Sequence, residues 1–451
     1  MGGSGRPPIV MWTRLRFRHG VHPPELKDLT ARVPIRRVPY PDEVVLPLRQ
    51  HTGKPARLTV KVGDRVERGD RVAEADGYVS TPIHASAAGT VSEIGLWPHP
   101  DGSYAPAVRI AVDRYSPQAP RPRLVPDWTR LGPAELIEAI RQAGVVGLGG
   151  AAFPTHVKLA PPKDQAIDTV LVNGCECEPY LTTDHRTMVE YPERVQLGVR
   201  IMMRCLGVRR ALIGIEKNKP DAVEAIRRTV PADLDVAVQA LDVKYPQGAE
   251  KMLIEALLGR EVPSGKLPMH VGVVVQNVAS AATIAEVFDT GLPLIERIVT
   301  VTGRGIRRPS NLIVPVGMKL RDLVEACGGF TEDAREVIFG GPMMGIAQAH
   351  LDTPLTKGTT GVVVLTAADT RPAASWPCVR CGRCLEACPV FLNPQLLGQL
   401  ALKERWAEME ASHLAGCLLC GCCGYTCPSN IPLPQLFALA KAALRRRPAA
   451  A

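Results

Sequence analysis

The chain has 451 residues, of which 46% are hydrophobic and 22% are charged, so its composition is that of a folded protein and not of a disordered one. Its length predicts about three domains. The net charge of +9 would suit an anionic membrane face or an acidic partner, but an aromatic content of 4% disfavours a base-stacking surface. No run of about 18 uncharged apolar residues occurs, and the N-terminal stretch lacks an apolar core, so we expect neither a membrane-spanning protein nor a signal peptide.

Residues 1–115 alternate short apolar runs with turn signals, a pattern that predicts β-strands. The segments Val60–Gly69 and Glu74–Gly77 resemble a lipoyl or biotinyl carrier domain, which implies a barrel-sandwich fold. A carrier needs a lysine at the tip of its hairpin for amide attachment, and Gly77 stands there instead. We therefore expect a non-acylated docking or covering module with an N-terminal extension.

The rest of the chain divides by composition. Residues 116–127 are rich in proline and predict a semi-rigid linker. From 128 to 297, buried strand-like runs such as Thr169–Val172 alternate with helical patterns such as Pro192–Leu206, which is typical of an α/β domain with a parallel sheet. Residues 298–370 return to short strands, and residues 371–451 are predominantly helical. The predicted fold is therefore multidomain, α/β plus β.

Nine of the thirteen cysteines lie between Cys378 and Cys427, and eight of these form two matching cassettes of the pattern C-x2-C-x2-C-x3-C-P. This spacing is typical of [4Fe–4S] ligation, in which three cysteines of one cassette and the last cysteine of the other surround each cluster. The predicted ligands of the first cluster are Cys378, Cys381, Cys384 and Cys427. The predicted ligands of the second cluster are Cys417, Cys420, Cys423 and Cys388. Cys422 is surplus in this scheme and is expected to pack against its neighbours.

Two structural zinc sites are the alternative, because zinc also takes four cysteines, commonly as paired C-x2-C units. That alternative would leave the third cysteine of each cassette and the C-P ending unexplained. A disulfide scaffold would be short and secreted, whereas this chain is long and shows no secretion signal, so its cysteines predict a reducing cytosol and metal–thiolate chemistry.

Two loops predict a nucleotide site. The first carries Gly147, Gly149 and Gly150, whose backbone N–H groups could approach a phosphate. It matches neither a P-loop nor a clean G-x-G-x-x-G, and alone it could be an ordinary tight turn. The second is an acidic turn at Asn173–Glu178 after a predicted strand, where α/β sheets bind ligands. Its carboxylates could accept hydrogen bonds from a ribose or a carboxamide, although such a turn is more often simply solvated.

Longer motifs give a family resemblance. The loop Gly147–Lys158 and the turn Asn173–Glu178 resemble the flavin- and NADH-binding subunit of respiratory complex I, as do Tyr245–Glu250, Lys266 and Gln276-Asn277. Over about residues 17–445 the chain is similar more specifically to the C subunit of the Rnf electron-transport complex. That narrower resemblance is carried by the two cassettes, the carrier-like segment, Phe17–Lys27, Gln50–Gly53 and Phe339–Gly345.

This resemblance implies hydride exchange with NAD(H) at a non-covalently bound FMN. Electrons would then pass through two [4Fe–4S] clusters to partner subunits, in a NADH/ferredoxin reaction coupled to ion movement across the membrane. The implied position is peripheral, on the cytoplasmic face of the cell membrane, beside membrane subunits and a ferredoxin-like cluster subunit. The implied domains are a barrel-sandwich, an α/β nucleotide domain like that of complex I, a β-grasp-like SLBB domain and a helical two-cluster ferredoxin domain.

The resemblance also implies roles for single residues. Those expected to hold the flavin phosphate and ring are Gly147, Gly149, Gly150, Phe153 and Lys158. Those expected to line the flavin are Asn173, Glu178, Tyr245, Gln276 and Asn277. Glu176 and Lys266 would face the nicotinamide nucleotide. The chain departs from complex I at Cys175, Cys177 and Ala249, where complex I has Asp, Ser and Glu, so those contacts stay open.

Two other functions stay open as well. A soluble flavin reductase of similar architecture, such as one that reduces a corrinoid, would place the carrier-like barrel after the nucleotide domain, whereas here the barrel comes first. A pure electron-transfer scaffold would keep the cassettes and lack nucleotide binding. The sequence does not determine the direction of electron flow, the coupling ion or the cluster potentials.

Overall fold

Two small antiparallel sheets make up the N-terminal part of the computed structural model, which describes residues 15–119, 127–370 and 374–446. Most of the predicted linker, residues 120–126, lies outside those ranges. The larger sheet has the order β2-β8-β7-β4, with strands Glu43–Pro47, Tyr104–Val112, Gly89–Pro98 and Arg65–Val66. The smaller has the order β3-β5-β6, with strands Arg57–Leu58, Arg71–Glu74 and Ile83–His84. Both sheets share one core, and Gly77 forms an open turn with a φ of 106° where a carrier would hold its lysine.

A four-stranded parallel sheet carries the middle of the chain. Its order is β11-β10-β9-β12, with strands Asp235–Leu241, Arg210–Glu216, Thr169–Gly174 and Val273–Asn277. Its strands are near-continuous apolar runs because both faces are covered. Val170 and Val172 enter one core and Leu171 the other. Asn173 lies beside Asn277 at the carboxyl edge, so β9 and β12 deliver their polar ends to one place.

Seven helices accompany this sheet within the described residues. They are α1 (Pro133–Gln142), α2 (Thr155–Leu159), α3 (Thr183–Glu190), α4 (Pro192–Leu206), α5 (Pro220–Arg228), α6 (Glu250–Leu258) and α7 (Val278–Thr290). Helix α4 packs along α7, and Gly198 allows the close approach because a Cβ there would lie 1.9 Å from the Ala281 carbonyl oxygen. Helix α6 packs on the opposite face. The result is the predicted α/β arrangement.

A six-stranded mixed sheet follows. Its order is β1-β14-β13-β17-β15-β16, with strands Ile35–Arg37, Ser310–Pro315, Glu296–Thr302, Gly361–Thr366, Ala334–Phe339 and Ile346–Ala347, and α8 (Leu320–Ala326) packs on its core. Strand β1 comes from the N-terminal extension and pairs in parallel with β14. The extension therefore belongs structurally to this sheet.

The C-terminal part is helical. Its helices are α9 (Arg383–Ala387), α10 (Pro394–Leu402), α11 (Trp406–Ala411), α12 (Cys422–Tyr425) and α13 (Leu433–Arg446). Helices α10, α11 and α13 share a core that includes Leu397, Met409 and Phe437, and this core supports the cysteine loops. Across the described ranges no helix has the length and apolarity needed to cross a bilayer.

Candidate nucleotide and iron–sulfur sites

The glycine loop lies between α1 and α2 and presents exposed backbone. The Gly147 N–H donates to the Phe153 carbonyl at 2.8 Å, which closes the loop and leaves Gly149 and Gly150 exposed. Gly150 has a φ of 106°, and a Cβ at Gly149 would lie 3.4 Å from Nδ2 of Asn277. Glycine adopts the conformation of Gly150 at little steric cost, and neither exposed glycine covers the loop with a side chain, so the loop can offer its N–H groups to an anion.

Lys158 projects from α2 towards the end of the sheet. Its Nζ pairs with the Glu250 carboxylate at the start of α6 and lies 3.2 Å from the Val275 carbonyl oxygen. A phosphate bound near the loop would therefore compete with Glu250 for this cation. Phe153 is half-buried beside the loop, and Lys266 is exposed in the turn after α6.

The acidic turn is held tightly by its own side chains. Asn173 donates through Nδ2 to the Gly248 carbonyl at 2.7 Å and accepts from the Cys175 N–H at 3.1 Å. Glu176 has a φ of 45°, and its two carboxylate oxygens accept from the N–H groups of Asp184 (2.7 Å) and His185 (3.1 Å) in the first turn of α3. Glu176 thus faces a helix N-terminus, where negative charge is favoured, and would have to leave both donors to meet a nicotinamide.

Glu178 points instead towards the six-stranded sheet. Its Oε1 accepts from the N–H groups of Met343 (2.7 Å) and Met344 (3.2 Å), in the loop between β15 and β16. Burial raises the pKa of Glu178, while these two donors act against that shift. The loop needs glycine at 341, because a Cβ there would lie 2.2 Å from Cγ of Glu178.

A segment at Phe17–Lys27, which we call the strap, braces the acidic turn from outside. Lys27 is 7% exposed, and its Nζ donates to the carbonyls of Glu176 (2.9 Å), Glu178 (2.9 Å) and Leu181. The Tyr180 N–H donates to the Glu25 carbonyl at 2.8 Å. One buried ammonium therefore holds two carbonyls of the turn, and the Leu181 carbonyl just after it, in a single conformation.

Unpartnered polar atoms at the carboxyl edge of the sheet fit a polar occupant such as a flavin. Gln276 at the end of β12 is 2% exposed, and its Nε2 has no hydrogen-bond partner. Gln247, fully buried after Tyr245, has neither amide atom bonded. Asn277 caps α7 through its Oδ1 and donates to Asp184 at 2.6 Å. Burial raises the pKa of Asp184 to about 7. Buried polar groups normally have partners, so this edge suits a ligand that supplies them.

The cysteines surround two separate cavities, divided as the crossed pattern predicts. Cys378, Cys381, Cys384 and Cys427 line the first, which has a volume of about 140 Å³. The second is lined by Cys388, Cys417, Cys420 and Cys423, joined by Cys422. In the described ranges no three His, Cys, Asp or Glu side chains are grouped so as to hold a single ion. The soft thiolates and the crossed arrangement fit two [4Fe–4S] clusters, although ligation itself stays a prediction.

The second cavity lies against the α/β domain of the four-stranded parallel sheet, and the first lies at the surface. The Tyr245 hydroxyl donates to the Cys420 carbonyl at 2.7 Å. The strap adds a bond from the Gly20 N–H to the Ala387 carbonyl (3.2 Å), and His19 Nδ1 lies 3.1 Å from the Cys388 carbonyl oxygen. Cys378 is exposed. These contacts and the exposure of Cys378 place the second cavity between the carboxyl edge of the parallel sheet and the first cavity.

Several residues at this site are not evident from the sequence. The strap is recognisable there as a motif, but its pattern gives Lys27 no role. Gln247 and Gly341 likewise fall within recognisable motifs that assign them no role, and no pattern points to Asp184. The contacts of Lys27 span about 150 positions of sequence and leave no local periodic signal. The strap also contains Arg18, Glu25 and two histidines, so its composition does not single out Lys27.

Comparison with known proteins identifies the family. The model of the Nuo51 FMN-binding domain matches residues 140–286, and that of the RnfC barrel sandwich hybrid domain matches residues 15–115. An SLBB domain matches 298–347, and a 4Fe-4S dicluster domain matches 375–431. The C subunit of the proton-translocating ferredoxin:NAD(+) oxidoreductase complex of Clostridium ljungdahlii is 46% identical over 88% of this chain and 87% of its own length. The chain belongs to the RnfC family.

Two other C subunits match this chain over most of its length. The C subunit of the Na(+)-translocating ferredoxin:NAD(+) oxidoreductase complex of Acetobacterium woodii is 42% identical over 88% of this chain and 90% of its own length. The C subunit of the ion-translocating oxidoreductase complex of Rhodobacter capsulatus is 41% identical over 96% of this chain and 83% of its own length.

Among solved structures, an NAD+-reducing [NiFe]-hydrogenase in the H2-reduced state aligns with 70% of this chain and 62% of its own, at 21% identity and a TM-score of 0.49.

The family matches confirm the predicted fold of this RnfC family member. Its four parts are the barrel-sandwich, the flavin-type α/β domain, the SLBB domain and the helical dicluster domain. They also confirm FMN and two [4Fe–4S] clusters as its cofactors, which sets the zinc alternative aside. The scaffold without nucleotide binding loses support for the same reason. The corrinoid reductase loses support because the relatives are named as C subunits of oxidoreductase complexes.

Proposed function

We propose that this chain exchanges hydride with NAD(H) at FMN and relays single electrons through two [4Fe–4S] clusters, towards or from ferredoxin, as a peripheral subunit of a membrane complex. The observation that carries the proposal is the contact from Tyr245 to Cys420, which joins the nucleotide edge of the sheet to the second cysteine cavity. The names of the relatives supply NAD(+) and ferredoxin. The same names specify different coupling ions, the proton for one complex and Na(+) for the other, so we assign the choice of coupling ion to the complex as a whole.

The chain's own residues would bind and orient the reactants. The N–H groups of Gly149 and Gly150, with Lys158, would hold the flavin phosphate. The buried amide groups of Gln276 and Gln247, which have unpartnered atoms, would form hydrogen bonds with the flavin. FMN, when bound, supplies the conversion of a two-electron hydride transfer into one-electron steps. The predicted roles of Glu176 and Lys266 at the nicotinamide stay part of this proposal, with the constraint that Glu176 must leave the first turn of α3.

The burial pattern supports an order for the electrons. The second cluster would exchange electrons with the flavin, since its loops contact Tyr245 and the strap. The first cluster would exchange electrons with the partner, since Cys378 and Cys381 are exposed. Trp376 (67% exposed) and Val379 (68%) lie beside exposed Arg380 and Arg383, so the surface around the first cavity combines apolar area with positive charge. An acidic iron–sulfur partner on the cytoplasmic side of the membrane would fit this face.

The first test is anaerobic. Protein reconstituted with FMN, iron and sulfide should lose its oxidised-flavin absorbance on addition of NADH, and both cluster signals should then appear by electron paramagnetic resonance (EPR). Dithionite should elicit the same cluster signals without NADH. Protein that holds its clusters but binds no flavin, or whose flavin is inert to NADH, would support the scaffold function, and zinc in place of iron would contradict the proposal altogether.

A second test concerns the partner face. The double variant Arg380→Glu and Arg383→Glu should slow electron transfer to the partner complex by about tenfold or more at low salt, because steering of an acidic partner would be lost. Reduction of the second cluster by NADH within the chain should be unchanged. Arg335→Glu, an exposed charge reversal on the six-stranded sheet, is the matched control. Equal rates for the control and the double variant would place the partner elsewhere.

A further inference from the structure

The motif Gln50–Gly53 has no part in the electron route proposed above, and in the structure it lies against the glycine loop. It follows β2 in the barrel sandwich. The Thr52 N–H donates to the Ala152 carbonyl at 3.1 Å, and Thr52 Oγ1 donates to the Ala151 carbonyl at 2.9 Å. One residue of the barrel therefore holds two successive carbonyls of the glycine loop.

The turn that presents Thr52 is fixed by its neighbours. His51 is 6% exposed, and its Nε2 accepts from the Thr81 N–H at 3.1 Å. Its Nδ1 therefore carries the proton and donates to the Thr52 carbonyl at 3.2 Å. Gly53 has a φ of 110°, and a Cβ there would lie 2.1 Å from the Val79 carbonyl oxygen, so the turn requires glycine at this position. These contacts leave Thr52 one position from which to reach the glycine loop.

The SLBB domain and the segment that follows it hold the same loop through two buried cations. Arg297 on β13 is 4% exposed, and its Nη2 donates to the Leu148 carbonyl at 3.1 Å. Lys357 is 1% exposed, and its Nζ donates to the Gly144 carbonyl at 2.8 Å, just before the loop, and to the Pro82 carbonyl of the barrel at 2.9 Å. The carbonyls of the loop are thus bonded to donors that lie outside the α/β domain.

The bonded carbonyls fix the directions of the loop's N–H groups. In a trans peptide the C=O and the following N–H point to opposite sides, so Thr52 directs the N–H groups of Ala152 and Phe153 away from the barrel. Arg297 orients the Gly149 N–H in the same way. Among the residues that the structure describes, none accepts a hydrogen bond from the N–H groups between Gly149 and Phe153. Successive N–H groups without acceptors are suited to an anion.

We propose that Thr52 is a positioning residue for the flavin phosphate, and that the barrel sandwich supports the phosphate-binding conformation of the glycine loop. The inference rests on the proposed function, which places the FMN phosphate at this loop. The support acts on the phosphate and not on the flavin ring, because the oriented N–H groups have no acceptor in a flavin that lacks the phosphate. A carrier-like domain without an acceptor lysine thereby has a structural task at the flavin site.

The test compares FMN with riboflavin, which lacks the phosphate, by anaerobic equilibrium dialysis against the full chain with reconstituted clusters and no flavin. Thr52→Val keeps the shape of the side chain and the backbone donor but removes the bond to Ala151. It should weaken FMN binding about fivefold, the effect of one hydrogen bond, and leave riboflavin binding unchanged. Thr52→Ser keeps the hydroxyl and should bind both flavins as the wild type does. Thr59→Val removes an exposed hydroxyl elsewhere in the barrel and is the matched control.

Two outcomes would overturn the inference. If Thr52→Val weakened FMN and riboflavin equally, the turn would support the whole flavin site and not its phosphate. If Thr52→Ser bound FMN as weakly as Thr52→Val, the hydroxyl would not be the group that matters. A wild-type protein that does not prefer FMN to riboflavin would instead contradict the proposed phosphate site; if that preference is present and Thr52→Val retains it in full, this inference alone fails.

Discussion

Replacing Cys427 with alanine should abolish the first cluster and spare the second, although Cys427 belongs to the second cassette in sequence. Cys388→Ala should do the opposite. The reason is the arrangement of the cavities, each of which receives its fourth cysteine from the other cassette. Each variant should retain about half of the iron, and EPR of the dithionite-reduced protein should show a single remaining cluster.

The control for these variants is Cys205→Ala, a buried thiol on α4 that lies in the core of the flavin-type domain. It should keep both signals. If Cys427→Ala instead lost the second cluster and kept the first, each cassette would serve its own cluster. The crossed arrangement, and with it the close spacing expected for one-electron relay, would then be wrong.

The second large effect is expected at the strap. Lys27→Met should lower the free energy of unfolding by about 3 kcal/mol or more, because three buried carbonyls lose their donor and each such loss costs about 1–3 kcal/mol. Since two of those carbonyls belong to the acidic turn, the variant should also release FMN on gel filtration. Thermal unfolding and flavin content after gel filtration measure the two effects.

Lys61→Met, an exposed lysine in a barrel loop, is the control for the loss of a charge and should leave both measurements near the wild type. Lys27→Arg should lose part of the stability, because a planar guanidinium cannot reproduce the three directions of an ammonium. A stable, flavin-replete Lys27→Met protein would show that the turn keeps its conformation without the strap.

The sequence was most informative where chemistry fixes spacing. Two cassettes with identical intervals can be recognised without a structure because the metal cluster dictates the intervals. The glycines at 147, 149 and 150 predict a phosphate-binding loop because a residue without a side chain lets a backbone N–H approach a phosphate closely. The directions of individual side chains could not be predicted from the sequence. Glu176 and Glu178 are the same residue type two positions apart, yet one turns to α3 and the other to the loop at Met343. Their directions depend on tertiary neighbours, and on a positive φ at Glu176 that no propensity predicts.

The pairing of strands that are far apart in the sequence was the second feature that could not be predicted. Strand β1 lies in the part of the sequence predicted as the barrel but pairs with β14, nearly 280 positions later. Three residues give no periodic pattern, and the partner strand could be found only from the folded chain. The packing of the strap between the acidic turn and the second cavity was hidden for the same reason.

The strap has a consequence for biosynthesis. His19 and Gly20 leave the ribosome early, but their partners Cys388 and Ala387 are translated almost 370 codons later. N-terminal domains usually fold first during synthesis, yet here the strap cannot complete its contacts until residues 387 and 388 have emerged. A product truncated before residue 387 would therefore keep the Lys27 brace on the acidic turn but lack the link between the strap and the second cavity.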